Sequence, residues 1–509
     1  MRDRRHRFVV LVVALAAVLA VVGTATAQPA PKGPSAVDKH KIDNFTHALQ
    51  QAGFALQEGT FKFADLIQEV CEGRLSDTLA NNPWPNAYTV VALPPHQGVT
   101  PLPSDLFFQI GPNEAVILVG QTPPPAAFFS YQTFLINAPG DPRRLGVAIG
   151  DSVNIGTIRT IGPTPFDRTI VYILTGHRGT EHLVWEAARK AGYPDAIINV
   201  EGMSPVIAPM VVGDQGSWFA LGHRVAVAED PDALQRYERY PPYRVFRVSP
   251  NDLLARRLGN DPEPVPILRP RGTGRTEMEL YPALKRLRQA ILDRYGEGQE
   301  LDSKIWSIVT KDPATGQDRE LITEKPYVGL QRYIQAIGTT RDTNYIATYP
   351  NFRLREGVDE FVIAYGVNHE KTGKATYGSI SVYADKYRWF GPENGTMTSP
   401  HFGDSARHYL PDDPDADYLY AIRVARNCGG DDHCLQVGPP TFKDIYGNPY
   451  KINPTCTLPD IDNPAADPKP WDLDDQEMFF LFRGYMEPKT KVAPDDKELL
   501  YDRAIYFKR

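Results

Sequence analysis

The sequence predicts an α+β fold of two homologous tandem domains, each a mainly antiparallel β-sheet or sandwich with flanking helices. Three observations predict it. The chain aligns with itself over most of its length, the matching segments are strand-like, and each half opens on a helical stretch.

The matches run in one order. Asn113-Glu-Ala-Val-Ile-Leu-Val-Gly120 pairs with Asp359-Glu-Phe-Val-Ile-Ala-Tyr-Gly366, and both are apolar strands closed by glycine. Phe129–Leu135 pairs with Ala375–Tyr383, Gly150-Asp151-Ser152 with Gly403-Asp404-Ser405, and Arg168–Leu174 with Asp417–Val424. Trp218–Arg224 pairs with Phe479–Arg483. Arg224 to Arg244 and Arg483 to Arg503 are both twenty residues, each leading from strand through an acidic loop to strand. Upstream, Asn86-Ala-Tyr88 resembles Thr343-Asn-Tyr345. Repeated order at similar spacing is the signature of two related units. They span residues 38–255 and 272–509, joined by a Pro-rich linker over 256–271.

Helices are expected over Val37–Gln51 and Thr60–Cys71 in the first unit. In the second, Leu280, Leu284, Leu287 and Ile291 predict a helix within Thr276–Arg294. One βαβ-like unit is expected in the first half: strand Thr169–Leu174, helix Glu181–Ala191, strand Ala196–Val200. In the second half the Cys428–Cys434 loop replaces its helix.

The N-terminus carries four arginines in Met1–Arg7, an apolar run from Phe8 to about Val22, and an Ala25-x-Ala27 site. This predicts a cleavable signal peptide over 1–27, a short linker over 28–37, and a secreted or periplasmic product with no stable membrane insertion after cleavage. Losing four arginines and one aspartate with that leader takes the formal charge from −7 to −10. An acidic surface argues against nucleic acid as a partner. Four cysteines in an exported chain predict disulfides, Cys428 with Cys434 first and Cys71 with Cys456 second.

Chemistry is expected where the halves differ. Gly366-Val-Asn368-His369-Glu370-Lys371 replaces a proline run after the equivalent strand. His401-Phe-Gly-Asp404-Ser-Ala-Arg407-His408 is a second ionisable cluster, and Arg341-Asp342-Thr-Asn344-Tyr345 a third. His369, Asp404, His408 and Arg341 are the expected catalytic set. Asn368, Tyr345, Asn344, His177 and Arg178 are the expected substrate contacts, the last two as an anion site at a helix start. Gly150-Asp151-Ser152 resembles the nucleophile block of GDSL-type esterases, but its recurrence as Gly403-Asp404-Ser405 is what a structural turn predicts. Asp412, Asp413, Asp415 and Asp417 offer alternating calcium-type oxygens, without the glycine of an EF-hand. No helical His-Glu-x-x-His spacing assigns a metal, and the cofactor is unknown. The expected function is a secreted or periplasmic hydrolase or lyase with acid/base residues in an interdomain cleft. The alternative is a non-catalytic ligand-binding or cell-surface structural protein. Its partner would be an extracellular small molecule or polymer, and its oligomeric state is open.

Overall fold

The computed structural model describes residues 38–64, 88–137, 146–311, 318–322, 339–384, 395–438, 441–443, 449–451 and 477–509, with residues 66, 69, 74, 139 and 474. The expected signal peptide, the 28–37 linker and the Cys71–Cys456 pairing lie outside these residues. Among the described residues, no helix is long and apolar enough to cross a membrane.

The chain is mixed α and β, with strands outweighing helices. Helix α1 (Lys39–Ala52) starts where the Asp38 carboxylate accepts the His40 amide at 3.0 Å, and stops at Gly53, whose φ of 100° only glycine adopts readily. Ten strands follow: β1 (Phe54–Phe63), β2 (Tyr88–Ala92), β3 (Ala115–Gln121), β4 (Ala126–Asn137), β5 (Val147–Ala148), β6 (Val153–Asn154), β7 (Thr169–Thr175), β8 (Ile198–Gly202), β9 (Trp218–Ala228) and β10 (Tyr243–Pro250). Helix α2 (Arg178–Lys190) joins β7 to β8, and α3 (Pro231–Arg239) joins β9 to β10. Two more helices, α4 (Asp252–Leu258) and α5 (Tyr281–Tyr295), flank the linker. The second half holds β11 (Gln299–Ile305), β12 (Ser307–Lys311), β13 (Asp318–Ile322), β14 (Thr343–Tyr349), β15 (Glu360–Val367), β16 (Tyr377–Ala384), β17 (Thr396–Thr398), β18 (Leu419–Ala425), β19 (Cys434–Gln436), β20 (Thr441–Lys443), β21 (Pro449–Lys451), β22 (Met478–Tyr485) and β23 (Arg503–Lys508).

Two large sheets result. The first runs β5-β4-β9-β2-β1-β10-β3-β7-β8, with β6 also on β4. The second runs β17-β16-β22-β14-β11-β23-β15-β18-β19. Taken in chain order, the two sequences of strands are the same. Each is antiparallel until its last pair, where β7–β8 and β18–β19 are parallel. The register agrees as well. Ser130, Arg224 and Tyr88 form one row across β4, β9 and β2, while Ser379, Arg483 and Tyr345 form the matching row across β16, β22 and β14. Isolated bridges Phe108–Phe219 and Phe352–Met478 fall at the same step. A side chain at Gly120 would strike the Tyr243 ring, and one at Gly366 would strike Asp502, so the matched strand glycines permit matched close approaches.

The unbroken apolar runs of β3 and β15 follow from burial on both faces. Val116 and Leu118 enter one core of the first half. Ile117 and Val119 pack with Ile42, Phe45, Leu49 and Val184 from α1 and α2. In the second half, Val362 and Ala364 face one core, and Phe361 and Ile363 meet Leu284, Leu287 and Ile291 of α5. Each such branched or aromatic side chain contributes about 1.5–3 kcal/mol through burial. Thr60–Phe63, expected as helix, belong to β1 instead. They pair with β2, and cross-strand packing overrides local periodicity there.

Between the halves, a buried seam stands where a cleft was expected. Phe128 and Ala226 pack against Tyr377, Tyr485 and Met486. The Arg224 guanidinium lies 4.7 Å from the Tyr485 ring centre and 3.4 Å from the fully buried Asp342 carboxylate. Ser152 donates to Asp342 at 2.7 Å, and Arg341 donates to Asp151 at 2.8 Å.

Candidate functional site

Of the expected catalytic residues, the structure brings two together and adds a third. The turn after β17 carries Asp404, and the single 3-10 turn Ser405–His408 ends on His408. His433 stands immediately before β19, in the loop closed by the Cys428–Cys434 disulfide. One ligand atom from each of Asp404, His408 and His433 lies within 4.8 Å of the other two. His433 Nε2 is 3.4 Å from Asp404 Oδ1, and the two imidazole rings meet edge to face at 4.7 Å.

The backbone explains why His433 reaches this place. Its carbonyl accepts the Arg423 amide at 2.9 Å, continuing the parallel pairing of β18 with β19, and its amide donates to Asp431 Oδ1 at 2.9 Å. Gly403 has φ of 54°, and a Cβ there would stand 3.0 Å from His433 Nε2. Glycine therefore serves twice at this position, for the turn and for the imidazole beside it. Two imidazoles and a carboxylate are donors for zinc and neighbouring divalent transition metals, and three protein ligands leave one position for water.

The other expected residues are engaged elsewhere. His369 is buried, with Nδ1 2.9 Å from Glu277 and Nε2 3.5 Å from Asp502. Burial alone would depress its pKa, but the two carboxylates overcome this and hold it well above the usual imidazole value. It stands buried between two carboxylates. Among the described residues, no hydrogen bond or ion pair joins it to Asp404 or His408. Asn368 accepts the Glu370 and Lys371 amides, which makes a local turn. Asn344 accepts the Gly484 amide at 2.6 Å, and the Tyr345 hydroxyl accepts the Thr340 amide at 3.2 Å; both side chains are buried. Arg341 is buried in the seam. His401 Nδ1 pairs with the Thr398 hydroxyl at 3.1 Å. Asp413 and Asp415 are bound by Arg286, and Asp417 by Arg407, so arginines take up the oxygens of that acidic run. Ser152, bonded to Asp342, has no histidine beside it among the described hydrogen bonds.

The α2 N-terminus is likewise occupied by the chain itself. His177 caps it, accepting the Thr180 amide at 3.1 Å, and burial holds the imidazole below its usual pKa. Arg178 donates to Asp261 at 2.9 Å. The linker segment is fastened there, since the Glu263 amide donates to Gly176 O at 2.8 Å. Burial, then the adjacent Glu181 carboxyl, pushes Glu263 up to about 7. A carboxyl whose folded pKa exceeds its unfolded value binds an extra proton in the native state. Its contribution to stability therefore falls as pH rises from about 4.5 through about 7. Glu263→Gln is expected to flatten that slope and to raise the melting temperature at pH 8 relative to the parent. Parallel melting curves for both chains from pH 5 to pH 8 would exclude this role for Glu263.

The first half has a counterpart to the Asp404 corner. Cys434 pairs with Arg423 as Val200 pairs with Ile173, so His433 and Asn199 hold matching places beside the last strand pair. Asp404 and Asp151 hold matching places in the Gly-Asp-Ser turns. There a cleft of about 310 Å³ opens, lined by Gly150, Asp151, Arg159, Asn199, Glu201 and Arg269 among others. The sequence placed His433 between two cysteines expected to form a disulfide and gave no direct sign that it meets Asp404. The available signal was the pairing of the Gly-Asp-Ser repeat with the loop that replaces α2.

No family model matches the chain, and no curated protein matches it. Among solved structures, an uncharacterised protein from Burkholderia cenocepacia is 11% identical over 92% of this chain and 87% of its own, with a TM-score of 0.37. A protein from Vibrio parahaemolyticus is 11% identical over 93% of this chain and 96% of its own, with a TM-score of 0.36. At that level of likeness, neither neighbour assigns a fold family or a function to this chain.

Proposed function

We propose that this chain is an exported metal-binding protein, built by duplication of one α+β unit, whose second unit holds a divalent transition-metal ion between Asp404, His408 and His433. The shared strand order and register support the duplication. The convergence of three ligand atoms within 4.8 Å, drawn from two separate loops, carries the metal reading. Binding is favoured over acid/base catalysis because His369 and Arg341 are held in buried ion pairs. Hydrolysis is the second reading, carried by the water position that a three-ligand metal keeps.

Calorimetric titration of metal-free protein with zinc is the test. The parent chain is expected to bind one zinc ion at micromolar affinity or tighter. His433→Ala and His408→Ala should each weaken it by about tenfold or more, which is about 1.4 kcal/mol or more per ligand. Calcium, which prefers an all-oxygen shell, is expected to bind poorly. Unaltered zinc affinity in both histidine variants would remove the site. If the loaded protein cleaves an activated ester and His433→Ala does not, the hydrolytic reading gains over simple binding.

A further inference from the structure

We infer that the first half carries its own ligand site, the cleft between the Gly150–Val153 turn and the linker segment 266–269, and that it takes a small carboxylate-bearing molecule. The inference does not depend on the metal reading. It rests on a cavity, a guanidinium with no carboxylate partner among the described residues, and a repeated position in the fold.

The cavity, about 310 Å³, matches the smaller end of metabolite pockets. It lies at the corner that corresponds, strand for strand, to the Asp404–His433 corner. It is concave, with Pro266 and Ile267 of the linker among its lining residues. Asp151 forms part of the floor, but its charge is already met by Arg341 Nε at 2.8 Å and Arg269 Nη1 at 3.6 Å. Asn199 is spent on the Arg159 backbone, accepting its amide at 2.7 Å and donating to its carbonyl at 3.1 Å. Those two bonds fix where Arg159 leaves the chain. Its guanidinium stacks 5.4 Å from the Trp185 ring centre, and no carboxylate pairs with it among the described residues. Arg159 is exposed, and a guanidinium stacked on an aromatic face with no carboxylate partner among the described residues is a planar fork suited to a carboxylate.

The remaining acid in the cleft is Glu201. It accepts from Thr133 Oγ1 at 2.5 Å and Tyr172 Oη at 2.6 Å, and burial nonetheless raises its pKa. A floor acid biased toward its neutral form repels an incoming anion less than an exposed glutamate would. The lining then carries Arg159 and Arg269 against Glu201 and Asp151, and Asp151 is already paired with Arg269 and Arg341.

Citrate, succinate and inorganic phosphate are the probes, titrated calorimetrically into the full mature chain. Citrate or succinate is expected to saturate, and Arg159→Ala to weaken that binding by about tenfold. Gly150 has room for a side chain, since its Cβ would meet only Pro266, at 3.5 Å. Gly150→Leu therefore plugs the cleft without backbone strain and is expected to abolish binding while leaving the ligand-free melting temperature unchanged. Arg286→Ala, at an exposed ion pair in the other half, should bind like the parent. Binding of phosphate alone overturns the carboxylate assignment. Failure of all three probes, or equal binding by the parent and Gly150→Leu, overturns the site.

Discussion

Lys374→Met is expected to destabilise the chain by about 3–5 kcal/mol, the usual cost of removing one partner from a buried charge pair. The Lys374 side chain is 2% exposed, and its ammonium lies 3.0 Å from Glu487, 3.0 Å from the Thr273 hydroxyl and in contact with Glu498. Burial alone would lower the ammonium pKa, yet the two carboxylates hold it above its usual value. Methionine keeps the volume and removes the charge. Two carboxylates then remain together in a site closed to water, and the molecule must protonate one or open.

The same site fixes the sign of the pH response. Burial works to raise Glu498, but the Lys374 hydrogen bond and the Thr273 and Gly274 amides bring it below the usual carboxylate value. In the parent, that contribution is present above about pH 4.5 and is lost as pH falls through the lower, folded value. In Lys374→Met the counter-charge is gone, so acid should relieve repulsion and the stability deficit should shrink from about pH 7 to about pH 5. Chemical denaturation at the two pH values measures this. A deficit under about 1 kcal/mol at neutral pH, or one that grows on acidification, would show that Lys374 does not carry the cluster.

How much of this was legible differs between fold and site. The self-matches that lie on strands fall on strands of equal rank, and Arg224, Arg244, Arg483 and Arg503 fall at equal register. The matched segments were legible because apolar runs recur at similar spacing in both halves, whereas the order in which the strands pair was not read from the sequence. The helix expected from Thr60 was misplaced because residues 60–63 pair with β2, and the strand they extend pairs with β10, far along the chain. The site failed for a related reason. The polar loop after β15 looked like a binding loop, but Glu277 and Asp502 reach His369 from 92 and 133 residues away and bury it. Local sequence shows that a residue is ionisable, not whether a distant one will neutralise it. Asp404 and His408 were visible as a cluster because they share one short turn, whereas His433 arrives on another loop.

Asp342→Ala is expected to cost a comparable amount, about 3–5 kcal/mol, and for the whole molecule rather than one half. Asp342 is 0% exposed and is the shared acceptor of the seam: Ser152 from the first half donates at 2.7 Å, Thr343 at 3.2 Å, Thr340 at closer range, and Arg224 lies 3.4 Å away. Alanine leaves Arg224, itself 8% exposed, stacked on Phe128 and Tyr485 with no carboxylate among the described residues to neutralise it. A guanidinium on aromatic faces retains about 1–2 kcal/mol of attraction, which does not offset the desolvation of a full charge. An asparagine side chain keeps an acceptor for the Ser152 hydroxyl, so Asp342→Asn should cost less than alanine. Removing both charges in Asp342→Ala/Arg224→Met should recover part of the loss, since a buried pair exchanged for apolar groups is often close to neutral. Because the seam joins both sheets, denaturation followed by tryptophan fluorescence and by far-UV circular dichroism should shift together in Asp342→Ala. Two separated transitions in the variant, with one at the parent's midpoint, would mean that the halves fold independently and that Asp342 serves only its own turn.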